Sequence, residues 1–276
     1  MLLKRVGELC SRASDGSPAF SGFLTPRESY IISAFGYASS CRRDELTSQE
    51  HIGFFWGGYP DAERRLFAAL PSFAAYSLPE SDGFEGYTDE DLAGLAKDEL
   101  DLCLKPLLIR KSGYVELSHR DYMGALLGLG IDRSHIGDII LVDEGAVVFA
   151  DPKIAGFIKT SLTGAGRDRV KVTDAEGELV LSRRFEPAGG TVASARLDAI
   201  VSELANTSRE TAKELIRRGL VEHNYFTAAD ADAVVSKGDV ISVRREGRVK
   251  GGKFIIDNVG DLTGKGRIRL AARRYI

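Results

Sequence analysis

Between residues 105 and 173 the chain alternates short apolar runs with helical segments in an order that few topologies can satisfy. Lys105–Lys111 (KPLLIRK) reads as a strand, 118–127 as a helix, and 137–142 (GDIILV) and 145–149 (GAVVF) as two further strands. A helix over 152–162 and a last strand over 169–173 (RVKVT) complete the set. Strand-helix-strand-strand-helix-strand is the split βαβ order of a ferredoxin-type plait, a group that includes RNA-recognition modules. Those modules place aromatic residues on their central strands for base stacking. Here the strands offer Ile, Leu and Val, with Phe149 the one aromatic, so the shape is expected without that stacking mode.

A chain of 276 residues exceeds one average domain, which leaves room for modules on either side of the plait. Upstream, Thr25-Pro26-Arg27-Glu28 is a helix start: threonine as cap, proline at the first helical position, glutamate completing the capping box. HIGFFWGGYPDAERRL (51–66) reads as strand, turn at Gly57-Gly58, and a short helix after Pro60. The acidic stretch LPESDGFEGYTDED (78–91) is the expected linker ahead of the plait. Downstream, EPAGG (186–190) reads as a flexible joint. Leu197, Ile200, Val201 and Leu204 then recur at helical spacing, predicting an amphipathic helix over 196–205. Thr207 and Glu210 form a capping box for a second helix, ended by Gly219, and LVEHNYF and VVSKGDVISVRRE follow as strands.

Charge is unevenly spread. Residues 1–181 carry 19 Lys/Arg against 28 Asp/Glu, whereas 182–276 carry 18 against 12, so the overall −3 hides a basic C-terminal third. That asymmetry points to an anionic partner there, nucleic acid first. No run approaches the length of a membrane span, and no export signal is evident at the start, which fits a cytoplasmic protein. Cys10, Cys41 and Cys103 are odd in number, widely spaced and without a CxxC pair; they fit reduced thiols. The four histidines lack metal-ligand spacing, so neither metal nor cofactor is expected.

Three motifs look chemical and fail on their companions. His119-Arg120-Asp121 opens like a kinase catalytic loop, yet Leu126 stands where the metal-binding asparagine belongs and no Asp-Phe-Gly follows. Ser118 as helix cap with Asp121 at the third position accounts for the aspartate. GDLTGKG (260–266) is one residue short of a phosphate loop and lacks Ser/Thr after Lys265. Arg196-Leu197-Asp198 is similar to the catalytic Arg-Leu-Asp of pseudouridine synthases, but Ala199-Ile200-Val201 follows in place of Thr/Ser-Gly, which favours a capping or RNA-contacting role. No active site is expected.

Arg196-Leu197-Asp198, Ser208-Arg209, Ala212, Ile216, Gly219, Val221, Asn224, Gly238-Asp239 and Ile241 together resemble an S4 (alpha-L) RNA-binding domain, with His223 and Tyr225 departing from the pattern around the asparagine. FLTPRE (23–28), GGYPDAERR (57–65) and HRDYMGALLGLGIDRSHIGDI (119–139), ahead of that domain, resemble the bacterial YlmH family. The resemblance implies an α+β chain with an N-terminal α/β module (1–85), an RRM-like ferredoxin-type plait (86–180) and an S4 domain with a basic tail (181–276). It implies a non-catalytic, monomeric RNA-binding protein. Its partners would be rRNA and tRNA on a large ribosomal subunit that holds peptidyl-tRNA, in quality control of stalled translation. The expected RNA contacts are Arg196, Ser208, Arg209, Lys213, Arg217, Arg218, Asn224, Lys237, Arg244 and Arg245, with Arg120 and Arg133 as secondary contacts. Arg209, Lys213 and Arg217 recur at i, i+4, i+8 on one helical face. The tail adds Arg248, Lys250, Lys253, Lys265, Arg267, Arg269, Arg273 and Arg274, a segment expected to order on RNA. Two alternatives stay open: an RNA-modifying enzyme targeted by the S4 domain, and a protein-interaction scaffold linked to cell division.

Overall fold

The computed structural model describes residues 1–38, 46, 49–78, 86–113, 115–175, 181, 183–247, 249–264 and 266–276. The chain divides into two compact units, Met1–Ser182 and Arg183–Ile276. Both are mixed α and β, with antiparallel sheets.

The first unit opens with helix α1 (Leu2–Ser14), which buries Val6, Cys10 and Ala13, then strand β1 (Ala19–Phe20) and helix α2 (Pro26–Ala34). The capping box of α2 forms as its sequence predicts: the Thr25 hydroxyl accepts from the Glu28 amide, and the Glu28 carboxylate accepts from the Thr25 amide at 2.8 Å. Strands β2 (His51–Trp56) and β3 (Leu66–Pro71) join β1 in a sheet of order β1-β3-β2. Helices α3 (Asp89–Leu95) and α4 (Lys97–Asp101) follow. Within the expected linker, residues 79–85 lie outside the described residues, but 88–91 are the capped start of α3. Thr88 and Asp91 form its capping box, and Leu92 enters the core. The acidic run Asp89-Glu90-Asp91 therefore belongs to the positive end of a helix and not to a linker.

The second sheet is built from β4 (Lys105–Lys111), β5 (Ile136–Val142), β6 (Gly145–Ala150), β7 (Gly164–Ala165) and β8 (Asp168–Asp174). Its order is β5-β6-β4-β8-β7. Helix α5 (His119–Gly128) connects β4 to β5, and α6 (Pro152–Ser161) leads from β6 toward β7. Alternate residues serve two cores. Leu107, Ile109, Ala146 and Val148 pack with Tyr122, Leu126 and Ile158 of the helices. Leu108, Val147 and Phe149 pack with Phe54, Tyr59, Leu92 and Leu104, which precede β4 in the chain. Both faces are therefore covered, which is why GDIILV and GAVVF are nearly continuous apolar runs. Phe149, the lone aromatic on the central strands, is 2% exposed and stacks on Tyr59 at 5.7 Å between centroids. A Cβ at Gly58 (φ +97°) would lie 2.1 Å from that ring, so glycine there is a packing requirement.

The helix expected after Pro60 is absent. The amides of Glu63 and Arg64 instead donate to the Asp138 carboxylate at 2.8 and 3.2 Å, which winds 61–65 into a loop. The Tyr59 hydroxyl donates to the same carboxylate at 2.7 Å. Arg64, buried alongside, donates through Nε to the Ile136 carbonyl and through Nη2 to the Arg133 carbonyl, both at 2.8 Å. The segments GGYPDAERR and HRDYMGALLGLGIDRSHIGDI thus meet at one buried aspartate.

The second unit is a six-stranded antiparallel sheet, order β11-β10-β12-β13-β14-β9, with two helices on one face. Its elements are β9 (Phe185–Val192), α7 (Leu197–Leu204), α8 (Arg209–Arg217), β10 (Val221–His223), β11 (Phe226–Thr227), β12 (Val240–Val243), β13 (Gly252–Leu262) and β14 (Ile268–Tyr275). One expectation is corrected here. EPAGG is no joint: residues 186–190 lie in β9, paired with β14 from Phe185↔Tyr275 to Val192↔Ile268. Pro187 is tolerated because β9 is an edge strand, where one face of the ladder needs no donor. The basic tail contains β13 and β14; Arg248 and Lys265 lie outside the described residues. GDLTGKG spans the end of β13 and the β13–β14 turn, where the Thr263 amide donates to the Arg267 carbonyl at 2.7 Å.

The β9 glycines are there for close approach. A Cβ at Gly189 (φ +130°) would sit 2.2 Å from the Leu270 carbonyl oxygen, whereas one at Gly190 meets only the tip of Glu203, at 2.1 Å. Gly189→Ala should therefore destabilise the second unit by about 2–3 kcal/mol, and Gly190→Ala by under about 1 kcal/mol, since a side-chain tip can swing away. Urea unfolding of the two variants checks this; equal losses would contradict the account of β9.

Candidate nucleic-acid interface

Three of the expected contacts, Arg196, Ser208 and Arg209, lie at the starts of α7 and α8 in the C-terminal unit. Arg196 occupies the N-cap position of α7, and Asp198 lies in its first turn with 0% exposure. Nη2 of Arg209, the first residue of α8, donates to both Asp198 oxygens at 2.8 Å. Arg196 reaches the same carboxylate at 3.4 Å and also pairs with Asp232. Burial alone would push the Asp198 carboxyl up, but the hydrogen bonds from Arg209 and Arg196 hold it below the usual carboxylate range. One buried carboxylate thus fixes two arginines that remain partly exposed, with side-chain exposures of 37% and 44%. Asp198 has no oxygen facing solvent, so it cannot meet a substrate while both arginines hold it.

The sign of its shift sets a pH dependence. A carboxyl depressed in the folded state contributes stability above its unfolded value, about 3.9, and loses it as pH falls through the folded value. Asp198→Asn should destabilise the unit by about 2 kcal/mol at neutral pH, less than a fully buried pair because both arginines are partly solvated. It should also flatten acid unfolding below about pH 4. Hydrogen exchange in α7 and α8 reads both effects.

Helix α8 is capped by Ser208, whose hydroxyl accepts from the Thr211 amide at 3.1 Å, and not by the expected Thr207. The Thr207 amide instead donates to the Ser202 carbonyl, which removes Thr207 from the cap position. Along the exposed face, Arg209, Lys213 and Arg217 keep their i, i+4, i+8 spacing. Each has a carboxylate neighbour: Asp198 for Arg209, Glu210 at 3.5 Å for Lys213, and Glu214 at 2.7 Å for Arg217. Arg218, at the C-cap, pairs with Glu246. The Lys213 and Arg217 pairs are solvated i, i+3 contacts worth roughly 0–1 kcal/mol, so phosphate can replace the carboxylate at little cost. The Glu210/Lys213 and Glu214/Arg217 spacings were visible in the sequence; the clamp on Asp198 was not.

Asn224 is a structural pin of the β10–β11 hairpin. Its Nδ2 donates to Asp239 and its Oδ1 accepts from the Val240 amide, both at 2.8 Å. His223 contacts the same Asp239 carboxylate at 2.7 Å. Among the remaining expected contacts, Lys237 and Arg245 are exposed, and no described carboxylate pairs with either. Arg244 lies 3.9 Å from Glu222. In the first unit, Arg120 is exposed in the first turn of α5, and Arg133 is exposed while its carbonyl serves buried Arg64. Asp121 accepts from the Ser118 amide at 2.8 Å and from its hydroxyl at 2.7 Å, so the His-Arg-Asp triplet is the start of a capped helix. Cys10 and Cys103 are free thiols, Cys41 lies outside the described residues, and no cluster of three or more potential metal ligands occurs among the described residues. No helix among them is long and apolar enough to cross a membrane.

Residues 107–178 match the family model described as "Putative RNA-binding domain in YlmH". The ribosome-associated protein quality control protein P2 of Bacillus subtilis (strain 168) is 30% identical over 230 residues, covering 82% of this chain and 77% of that protein. Among solved structures, the cell division protein ylmH from Streptococcus pneumoniae matches with a TM-score of 0.43 at 17% identity, over 63% of this chain and 89% of that one.

Proposed function

This chain belongs to the YlmH family, and from that premise we propose that it is a non-catalytic, cytoplasmic RNA-binding protein of ribosome-associated quality control. In this reading the second unit is an S4 domain and β4–β8 with α5 and α6 form an RRM-like plait. The α8 face meets rRNA or tRNA phosphates on a large subunit that still holds peptidyl-tRNA. The observation that carries the reading is the Asp198 clamp. It orients Arg196 and Arg209 beside the first turn of a capped helix whose amides already favour an anion. Arginine suits this position, because its planar fork pairs with phosphate through donors left over from Asp198. Lys213, Arg217 and Arg218 extend the positive face along the helix and past its end. Recognition is then chiefly of backbone shape, since A-form grooves hide base edges from side chains. The plait contributes in another manner: both faces of its sheet are covered, so its RNA contacts come from loops and helix ends, where Arg120 and Arg133 lie.

The test is the content of particles purified from cells through the tagged full-length chain. Large subunits enriched in peptide-linked tRNA are the expected result. Recovery of protein partners alone, resistant to nuclease, would contradict the proposal and favour a scaffold.

A further inference from the structure

The outer face of the second unit's sheet, opposite the helices, carries an aromatic-cationic row that the α8 reading does not use. Glu222↔Ser242 and Ser242↔Lys253 are cross-strand partners, and Phe254↔Arg274 places Lys253 opposite Tyr275, itself paired with Phe185. Along this row the Lys253 ammonium lies 5.1 Å from the Tyr225 ring and 4.7 Å from the Tyr275 ring. Tyr275 meets Phe185 edge-to-face at 5.0 Å, and the Arg273 guanidinium covers Phe185 at 4.8 Å. Alternate residues Phe254, Ile256, Leu270 and Ala272 point into the core. The rings are therefore not needed to fill it, and all three are only partly buried.

A second observation is independent of the row. The β10–β11 turn has positive φ at both central residues, +50° at Asn224 and +68° at Tyr225, as a type I′ turn requires. Glycine adopts the second position without strain; a tyrosine there is a backbone outlier. The turn holds a strained tyrosine, and the ring so placed is the one beside Lys253. Strain kept at a surface site points to a role for the side chain it presents.

We propose that this face is a binding platform for unpaired RNA, distinct from the α8 face, with Tyr225, Tyr275 and Phe185 stacking two or three bases and Lys253 and Arg273 taking the intervening phosphates. Aromatic rings alternating with cations on an exposed sheet suit unstacked bases, since every base has a π-face and single strands leave it accessible. The inference rests on the RNA-binding reading of the chain and adds a single-stranded segment to its ligand.

The experiment measures binding of the full-length protein to a labelled oligouridylate of about 12 nucleotides and to an RNA hairpin without unpaired ends. Tyr225→Gly relieves the strained turn and should raise thermal stability. It should nonetheless weaken oligouridylate binding about tenfold and leave hairpin binding unchanged. Tyr275→Leu should weaken oligouridylate binding by a similar factor, and Lys253→Gln should make its salt dependence shallower by about one contact. Ultraviolet crosslinking of the wild type should map oligouridylate to peptides containing Tyr225, Tyr275 or Phe185, which tests the site even if Tyr275→Leu fails to fold. Unaltered oligouridylate binding by folded Tyr225→Gly, or crosslinks confined to α8 or to Met1–Ser182, would overturn the platform. A wild type that binds the hairpin but not the oligouridylate overturns the platform alone. A wild type that binds neither RNA overturns the RNA-binding reading as well.

Discussion

Asp138→Ala is expected to destabilise the unit Met1–Ser182 by about 3–5 kcal/mol, the scale for removing one partner from a buried charged network. Asp138 is 5% exposed and accepts from the Tyr59 hydroxyl and from the amides of Glu63 and Arg64. Its loss removes the shared acceptor of three donors at once, two of them buried. It also removes the carboxylate that opposes the effect of burial on Arg64, whose guanidinium burial pushes below its ordinary range with Arg133 adding to the push. Tyr59→Phe removes one hydrogen bond to a charged acceptor and should lose about 1.5–3 kcal/mol. The double variant should lose less than the sum, because Tyr59 and Asp138 belong to one network. Trp56, the single tryptophan, lies in β2 of this unit and packs against the same core, so its fluorescence reports this unfolding selectively. A loss under about 1 kcal/mol for Asp138→Ala would mean that the two motifs do not hold the unit together.

This network also marks where the sequence stopped being informative. The hydroxyl of Tyr59 and the carboxylate of Asp138 are 79 positions apart, and no local pattern announces such a pairing. What was legible was local: the Thr25–Glu28 and Ser118–Asp121 helix starts, and the strand-helix-strand-strand-helix-strand order along 105–173, read from apolar runs. EPAGG carries the local signature of a break, because proline and glycine disfavour strands by intrinsic preference. Here the edge position of β9 admits Pro187, and close packing on Leu270 requires Gly189. The helix after Pro60 failed for a related reason, its amides being taken by Asp138. In the candidate site, the spacing of Arg209, Lys213 and Arg217 was visible. The division of labour among them was not, since the partner that sets Arg209 apart sits on another helix.

That division decides how the interface should be probed. Reversing Arg209 would bring a carboxylate against buried Asp198 and confuse folding with binding. Among the described residues Lys213 and Arg217 pair with the partly or fully solvated Glu210 and Glu214, so Lys213→Glu with Arg217→Glu leaves the clamp intact. If about five phosphates are contacted, wild-type RNA binding should weaken with salt at a log-log slope of about −3 to −5. The double reversal should make that slope shallower by about two and reduce affinity on the order of 100-fold at moderate salt. Like-charge repulsion is then added to the two lost contacts. Hydrogen exchange in α7 and α8 should remain at wild-type levels, which separates this outcome from the loss of structure expected for Asp198→Asn.

The central claim is that the α8 face carries the protein onto ribosomal RNA, and co-sedimentation of the full-length chain with ribosomal particles tests it most directly. The wild type should pellet with large subunits at low salt, and folded Lys213→Glu/Arg217→Glu should remain in the supernatant. Undiminished pelleting of the folded double variant would contradict the claim.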